Sequence, residues 1–576
     1  MSRKKKHSSY VFESAPVITM GRSRHDLSHT ILTTMNVGDI VPLDVQEIYP
    51  GDTFRTKTAF VARTSSPYIR VPMDSLVMDL YYFFVPNRLV YDKWEAVMGE
   101  NTQSYWAPVA MPDVPIVKLP LQNPDGGPAT GTDTIASYLG INIGLGAPAG
   151  GDYQPGEINA LPFRGYALIY NEWFRSENLE APVYINTGDW SVGGTPTLNL
   201  NAFGTNNIFG QVAKANKLPG YFESCLPQPQ KGTAVDIPIT AGMAHVVPGT
   251  NKHTDFTGTH GMHLSYYDPV AADWLSTQLG NPWLGASTGN YVKNYKIKDL
   301  GEETDYYEVF PDNMYADVDS VLSGTINDLR FAVQLQKLLE KDARIGTRYV
   351  EYLYGHFGTI SPDARLQRPE FLGGKRVPLQ VQQITQTSAS TESSPMAQVS
   401  AYSLSSGLAG YVKGFVEHGF VFTIGVIRQA KHTYQQGIER FWFRKSRYDY
   451  YDPVFANIGE QPVYKREIYA DSYAKGDMTI FGYNEAWADL RYRPSKVTGA
   501  MNSVANNGLD VWHFGDEYAN APTLNKSWLQ ETPDYVDRAL SVPSSTAPQF
   551  IVDFYQSQIA TRVLPVHSIP GLVDHH

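Results

Sequence analysis

Apolar residues recur along this chain at two spacings, and each spacing predicts an element. Two β-type runs, Thr53–Val61 and Leu76–Val85, lie between turn signals. Pro50-Gly51-Asp52 precedes the first, Ser66-Pro67 and Pro72 separate them, and Pro86-Asn87 follows the second. In the second run Val77, Asp79, Tyr81 and Phe83 fall on one face and Met78, Leu80, Tyr82 and Phe84 on the other. Both faces are largely apolar, so a strand covered on both sides is expected, paired with the first run as a buried hairpin. Gly419–Gln429 repeats the pattern, with Phe420, Phe422, Ile424 and Val426 on one side and Val421, Thr423 and Gly425 on the other.

Helical spacing appears twice. Over Asn159–Leu179, Phe163, Tyr166, Ala167, Tyr170 and Phe174 recur at that spacing behind Pro162, a residue suited to a first turn; a core-covering helix is expected. A second helix is predicted over 325–341. Thr325 and Asp328 form a variant capping box, Ile326, Leu329, Val333 and Gln336 make one line, Phe331, Leu335 and Leu339 widen it, and Gly346 is the stop. The stretch after it returns to turns, and 380–410, rich in Ser, Thr and Gln, reads as loop. So does the Pro- and Gly-rich stretch 102–160, which is too long for a plain connection. Residues 182–320 hold no sustained period, and 241–320 read as an insertion carried on a scaffold.

With 576 residues the chain holds either several domains or one scaffold with large insertions. Its 38 Pro, 48 Gly and 37 Tyr against 18% charged residues suit a loop-rich β-protein with extensive contact surfaces, because Tyr offers area and a polar handle. One cysteine, Cys225, allows no internal disulfide and fits a reducing compartment. No apolar run is long enough for a membrane span, so no membrane insertion is expected. The opening MSRKKKHSS is followed by no apolar segment of the secretory kind, and a soluble protein is expected. A net charge of −11 confines any nucleic-acid contact to local patches.

Arg3, Lys4, Lys5 and Lys6 form one such patch, either a phosphate-binding arm or a solvated tail. His25 and His29 are four apart with no third ligand nearby, so no metal site is assigned. Gly144-Leu145-Gly146 fails the dinucleotide fingerprint, because the third glycine comes at Gly150 and Pro148 interrupts. No Walker loop, HExxH, Gly-x-Ser-x-Gly or CxxC occurs, so no catalytic residue or cofactor is assigned; a carboxylate pair of the glycosidase type would leave no short motif, so this alone does not exclude an enzyme. The run RFWFRKSRYDYYDPVF is aromatic and basic. Its Arg440, Trp442, Arg444, Arg447 and Tyr448 suit base stacking beside phosphates or, the preferred reading, a contact between subunits.

Several stretches together resemble the major capsid proteins of small single-stranded DNA bacteriophages of the microvirus type, the gokushovirus branch in particular. They are HDLSHTILTTMNVGDIVPLDVQEIYPGDTF, MDSLVMDLYYFFVPNRLVYDKWEAVMGEN, NALPFRGYALIYNEWFRSENL, YFESCLPQPQKG, TINDLRFAVQLQKLLEKDARIGTRYVEYLYGHFG, SPDARLQRPEFLGG, FRKSRYDYYDPVFANIGEQPV and FGYNEAWADLRYRPSKVTG. They cover most of the chain in family order, and are weakest over 241–320 and the tail.

The resemblance implies a mainly β fold, an eight-stranded antiparallel jelly roll with very long loop insertions and a few inserted helices. It divides the chain into a basic arm (1–30), a first part of the jelly roll (31–181), a large insertion (182–320) with a threefold surface protrusion placed at 241–320, and a second part (321–576) that ends in a C-terminal tail. It implies sixty copies in a T=1 icosahedral shell around a circular single-stranded DNA genome. The implied partners are other copies of the chain, the genome, a small basic DNA-binding protein, a minor pilot-type protein and a host cell-surface receptor. The place is the virion, assembled in the bacterial cytoplasm. Competing readings are a jelly-roll carbohydrate-binding or carbohydrate-active protein and a sequence-tolerant single-strand binder using Phe441–Tyr451.

Overall fold

The computed structural model describes residues 21–100, 112–118, 133–141, 157–189, 210–233, 326–345, 349–358, 367–385, 399–470, 479–503 and 508–567, with short segments between 235 and 323. The chain divides into two compact units, one formed by 1–229 with 345–576 and the other by 230–344.

The larger unit is built on ten strands: β1 (Ser23–Asp26), β2 (His29–Met35), β3 (Ile40–Ile48), β4 (Thr53–Thr64), β5 (Leu76–Pro86), β6 (Glu370–Leu379), β7 (Val381–Thr385), β8 (Val399–Gly414), β9 (Gly419–Gln429) and β10 (Phe550–Arg562). They form two antiparallel sheets. The first runs β1-β10-β4-β8-β7, with β2 also on β10; the second runs β6-β5-β9-β3. Strand pairing is set by alternation, since a slip of one residue would turn every apolar side chain outward. In β4, Phe54, Thr56, Thr58, Phe60 and Ala62 point inward while Arg55, Lys57 and Arg63 are exposed.

Between the sheets, Met78 and Leu80 of β5 pack with Phe60, Ala62, Val552 and Phe554. Tyr82 and Phe84 pack with Phe54, Tyr411, Phe415 and Ala560. Each buried Phe or Leu contributes about 1.5–3 kcal/mol. The opposite face of the second sheet, with Phe83, Val85, Phe422, Ile424 and Val426, is covered by helix α1 (Leu161–Ile169) and by Val212–Ala215. Pro162 sits in the first turn of α1, and a five-residue π-turn, Tyr170–Phe174, continues it. Gly165 lets this helix approach closely, because a Cβ there would lie 3.0 Å from the Phe422 ring. The layers are therefore sheet, sheet and helical cover.

β5 and β9 are covered on both faces, as the pattern predicts. The expected hairpin is not formed: β4 pairs with β8 and β10, β5 pairs with β6 and β9, and the two lie in different sheets. The reason is legible in β4 itself, whose outward charges suit a one-sided sheet and not the doubly covered one. The 380–410 stretch is not all loop either, since it contains β7 and most of β8. β8 turns the small residues Ala401, Ser403 and Ser405 inward, and a Cβ on Gly407 would sit 2.4 Å from the Phe60 ring. Small residues are required there by close packing. His25 and His29 lie on separate strands, β1 and β2.

The second helical prediction is met by α2 (Ile326–Ile345), and a further helix, α3 (Tyr349–Phe357), stands where turns were expected. Thr325 and Gly346, read as its start and stop, lie outside the described residues. Of the apolar stripe on α2, Leu329, Phe331 and Val333 are exposed. Within the smaller unit, Asp273–Ser276, Leu264–Asp268, Tyr306–Pro311 and Lys296–Lys298 form a four-stranded antiparallel sheet, with two short two-stranded ribbons besides.

Candidate assembly surface

The aromatic and basic run folds as three successive 3₁₀ turns, Arg440–Phe443, Arg447–Asp449 and Pro453–Phe455. The second and third starts are dictated locally. Ser446 and Asp449 form a reciprocal capping box, and Asp452 accepts from the Val454 N–H at 2.9 Å with Pro453 in the first turn. A core of Tyr221, Phe222, Tyr434, Val463, Ile468, Phe481, Leu524 and Trp528 forms a separate cluster of the same unit.

Two cations of this run, Arg440 and Arg444, are committed, while Lys445 and Arg447 are exposed. Arg444 is ion-paired with Asp489. Arg440 donates to the Pro462 carbonyl at 2.8 Å and lies 3.6 Å from Glu467, which also accepts from the Tyr221 hydroxyl at 2.8 Å. The Arg466 guanidinium stacks 3.8 Å over the Phe443 ring. Glu439 accepts from Lys496 at 2.5 Å and from Arg493 at 3.2 Å, and the hydrogen bond from Lys496 holds its carboxyl below the usual range. Arg491 pairs with Glu485 at 2.7 Å.

Trp487 adopts a left-handed backbone, φ 64°, unusual for a bulky side chain. It is held by its indole N–H donating to the Phe455 carbonyl at 2.9 Å and by the Tyr451 ring at 5.4 Å.

What remains open to solvent is mostly apolar. Trp442 is 69% exposed, Tyr448 76% and Val454 84%, with Phe441, Tyr450, Tyr451, Ile458, Leu490 and Tyr492 also exposed. Two clefts of about 310 and 460 Å³ indent this surface, both lined by Arg440 and Arg444. Exposed aromatics on capped turns, with Arg440 and Arg444 paired beneath them, have the composition of a protein contact. All five sequence-predicted residues lie on this one segment: Trp442, Arg447 and Tyr448 face outward, while Arg440 and Arg444 tie the segment down. Leu490, Tyr492 and Arg466 were missed; they reach the surface from other segments, and no local signal marks them. Arg3 and Lys4–Lys6 lie outside the described residues. Among the described residues, no cluster of three His, Cys, Asp or Glu side chains is placed to hold a metal ion.

Residues 14–572 match the family model described as "Capsid protein (F protein)". The chain belongs to the phage F capsid protein family. It is 37% identical to capsid protein VP1 of Spiroplasma virus 4 over 557 residues, which is 96% of this chain and 95% of that one. It is 36% identical to capsid protein VP1 of Chlamydia phage 1 over 607 aligned residues, 97% of each chain. It is 35% identical to capsid protein VP1 of Bdellovibrio phage phiMH2K over 576 residues, 98% of each. These are capsid proteins of the microvirus group, so this one is a structural component of a bacteriophage virion and not an enzyme.

Proposed function

We propose that sixty copies of this capsid protein close into a T=1 icosahedral shell around a circular single-stranded DNA genome, and that the surface on Arg440–Ile458 and Leu490–Tyr492 is one of the contacts between copies. The observation that carries the second part is the pairing of most of its arginines. Arg440, Arg444, Arg491 and Arg493 already have carboxylates nearby, so a phosphate backbone would find only the exposed Lys445 and Arg447 of this segment, whereas an apolar partner would bury Trp442, Tyr448 and Val454. Symmetry then repeats each modest contact across the particle.

Strand order supports an eight-stranded jelly roll. Leaving aside the short β1 and β7, the remaining eight strands pair first with last (β2 with β10), second with seventh (β3 with β9), third with sixth (β4 with β8) and fourth with fifth (β5 with β6). That is the pairing of one long hairpin wound into two facing sheets.

The insertion at 182–320, above all 241–320, is proposed as the threefold protrusion that meets the host-cell receptor, and Arg3 with Lys4–Lys6 as an arm on genome phosphates. A small basic DNA-binding protein and a pilot-type protein complete the proposed virion, with assembly in the bacterial cytoplasm. Electron microscopy and sedimentation of the purified protein test the central claim. Closed particles of one diameter are expected; a lone subunit under every assembly condition overturns it.

A further inference from the structure

The first sheet has one face packed on the core and the other, among the described residues, covered by nothing. Down the centre of the open face run the outward residues of β4: Arg55, Lys57, Ala59, Val61 and Arg63. Across the ladder from them on β8 stand Val412, Gly410, Leu408, Ser406 and Leu404; on the other side, on β10, stand Ile559, Ser557, Tyr555, Asp553 and Ile551. We propose that this face is a binding surface for single-stranded DNA, with Arg55, Lys57 and Arg63 taking backbone phosphates and Tyr555 a base.

Charge decides between occupants. Arg55, Lys57 and Arg63 are exposed, and no ion pair joins any of them to a carboxylate among the described residues. With Arg24 of β1 the face carries four cations against two carboxylates, Asp26 and Asp553. Asp26 is already engaged by the backbone and hydroxyl of Ser28, at 3.0 and 2.5 Å. Asp553 stands directly across from Val61 and diagonal to Arg63. Covering this face with apolar protein would strip water from three cations and return nothing, at a cost of about several kcal/mol per buried ion. A phosphate backbone answers all three. Around Arg440–Ile458, by contrast, Arg440 and Arg444 are already paired, and Lys445 and Arg447 are the cations left exposed.

Shape and surroundings agree. Arg55 and Lys57 alternate along one strand, so their side chains stand about 7 Å apart. Gly410 and Ser557 flank Lys57 and leave it uncrowded. Tyr555 is 50% exposed beside Ala59, where its ring lies open to a base. The chain also enters the unit here, because β1 lies on the edge of this sheet and the basic residues Arg3–Lys6 precede it. The inference rests on the single-stranded genome proposed above and assigns the face that meets it.

The test measures binding of the full-length protein to a fluorescent oligothymidylate over a series of salt concentrations. The variant combines Arg55→Gln, Lys57→Gln and Arg63→Gln. Three lost phosphate contacts are expected to make the slope of log K against log salt shallower by about 2, while Trp442→Ala leaves the slope unchanged. Ultraviolet cross-linking of DNA in wild-type particles, which needs no variant, is expected to label peptides from β4 and β10. An unchanged slope, or cross-links confined to other segments such as 441–451, overturns the assignment. If wild-type protein binds no oligothymidylate and its particles hold no DNA, the genome reading itself falls and takes this inference with it.

Discussion

His432 Nε2 lies 3.0 Å from Glu531 Oε1, and Nδ1 of the same ring lies 3.2 Å from Asp516 Oδ1, all three groups being buried. Both ring nitrogens face carboxylate oxygens, so both carry protons and the ring is an imidazolium. Lys217 adds a second cation at 2.7 Å from Asp516, and the Tyr535 hydroxyl donates to Glu531 at 2.7 Å. The cluster joins segments that are remote in sequence. His432→Gln strands Glu531 without a counter-charge, and a loss of about 3–5 kcal/mol is expected. Denaturant unfolding of the purified subunit measures it.

The same cluster sets a pH window. Burial opposes the charge on His432, but the carboxylates of Glu531 and Asp516 win and push its pKa up to about 10. A raised pKa means that the contribution is complete below the ordinary histidine value of about 6.5 and is lost as pH climbs toward about 10. Burial also opposes the charge on Asp516, yet Lys217 and His432 hold its carboxyl well below the usual range. Its contribution is present above about 3.9 and falls away as the pH drops below it. Midpoints of unfolding against pH are therefore expected to decline on both flanks, and His432→Gln is expected to flatten the alkaline one.

Asp79 holds the middle of the second sheet. It accepts from Arg376 of β6 at 2.6 and 2.9 Å and from Arg428 of β9 at 2.5 Å, so one carboxylate ties both neighbouring strands. Asp79→Leu has the right polarity for a core but leaves Arg428 buried and unpaired. A cost of about 3–5 kcal/mol is expected. Replacing Arg376, whose side chain is half exposed, is expected to cost far less. Thermal or denaturant melts of the two variants compare them directly.

Trp442 and Tyr448 do little for the fold, since both are largely exposed. Trp442→Ala with Tyr448→Ala is expected to leave subunit unfolding within about 0.5 kcal/mol of the parent. Assembly is another matter. A lost aromatic anchor costs about 2 kcal/mol per contact, which corresponds to roughly a 30-fold weaker association of two copies. Sedimentation velocity at graded protein concentration reads this as a higher threshold for particles. Particles forming at the parent's threshold would remove this segment from the contact.

The elements most legible in the sequence were those with one dominant pattern. β5 and β9 announce burial on both faces, and α1 announces its start with Pro162. β8 was not legible, because its inward positions over 401–409 are Ala, Ser and Gly, with Gly407 close against Phe60, and only Tyr411 is large. The partners of β4 and β5 were misjudged, because proximity in sequence suggested a hairpin where the fold separates them into two sheets. At the candidate assembly surface the residue types were plain, but the pairing of Arg444 with Asp489 was not, since the two lie 45 positions apart. The cluster around His432 gave no sign at all, because its carboxylates lie 84 and 99 residues away.

The last described strand, β10, lies between β2 and β4 and hydrogen-bonds to both. The ribosome must therefore release residues 550–562 before the first sheet can close, and until then β4 keeps a naked edge. Contacts this distant in sequence form slowly, so newly made chains need protection during that interval. A chain ended before residue 550 would lack the strand that bridges β2 and β4, and its first sheet could not be completed.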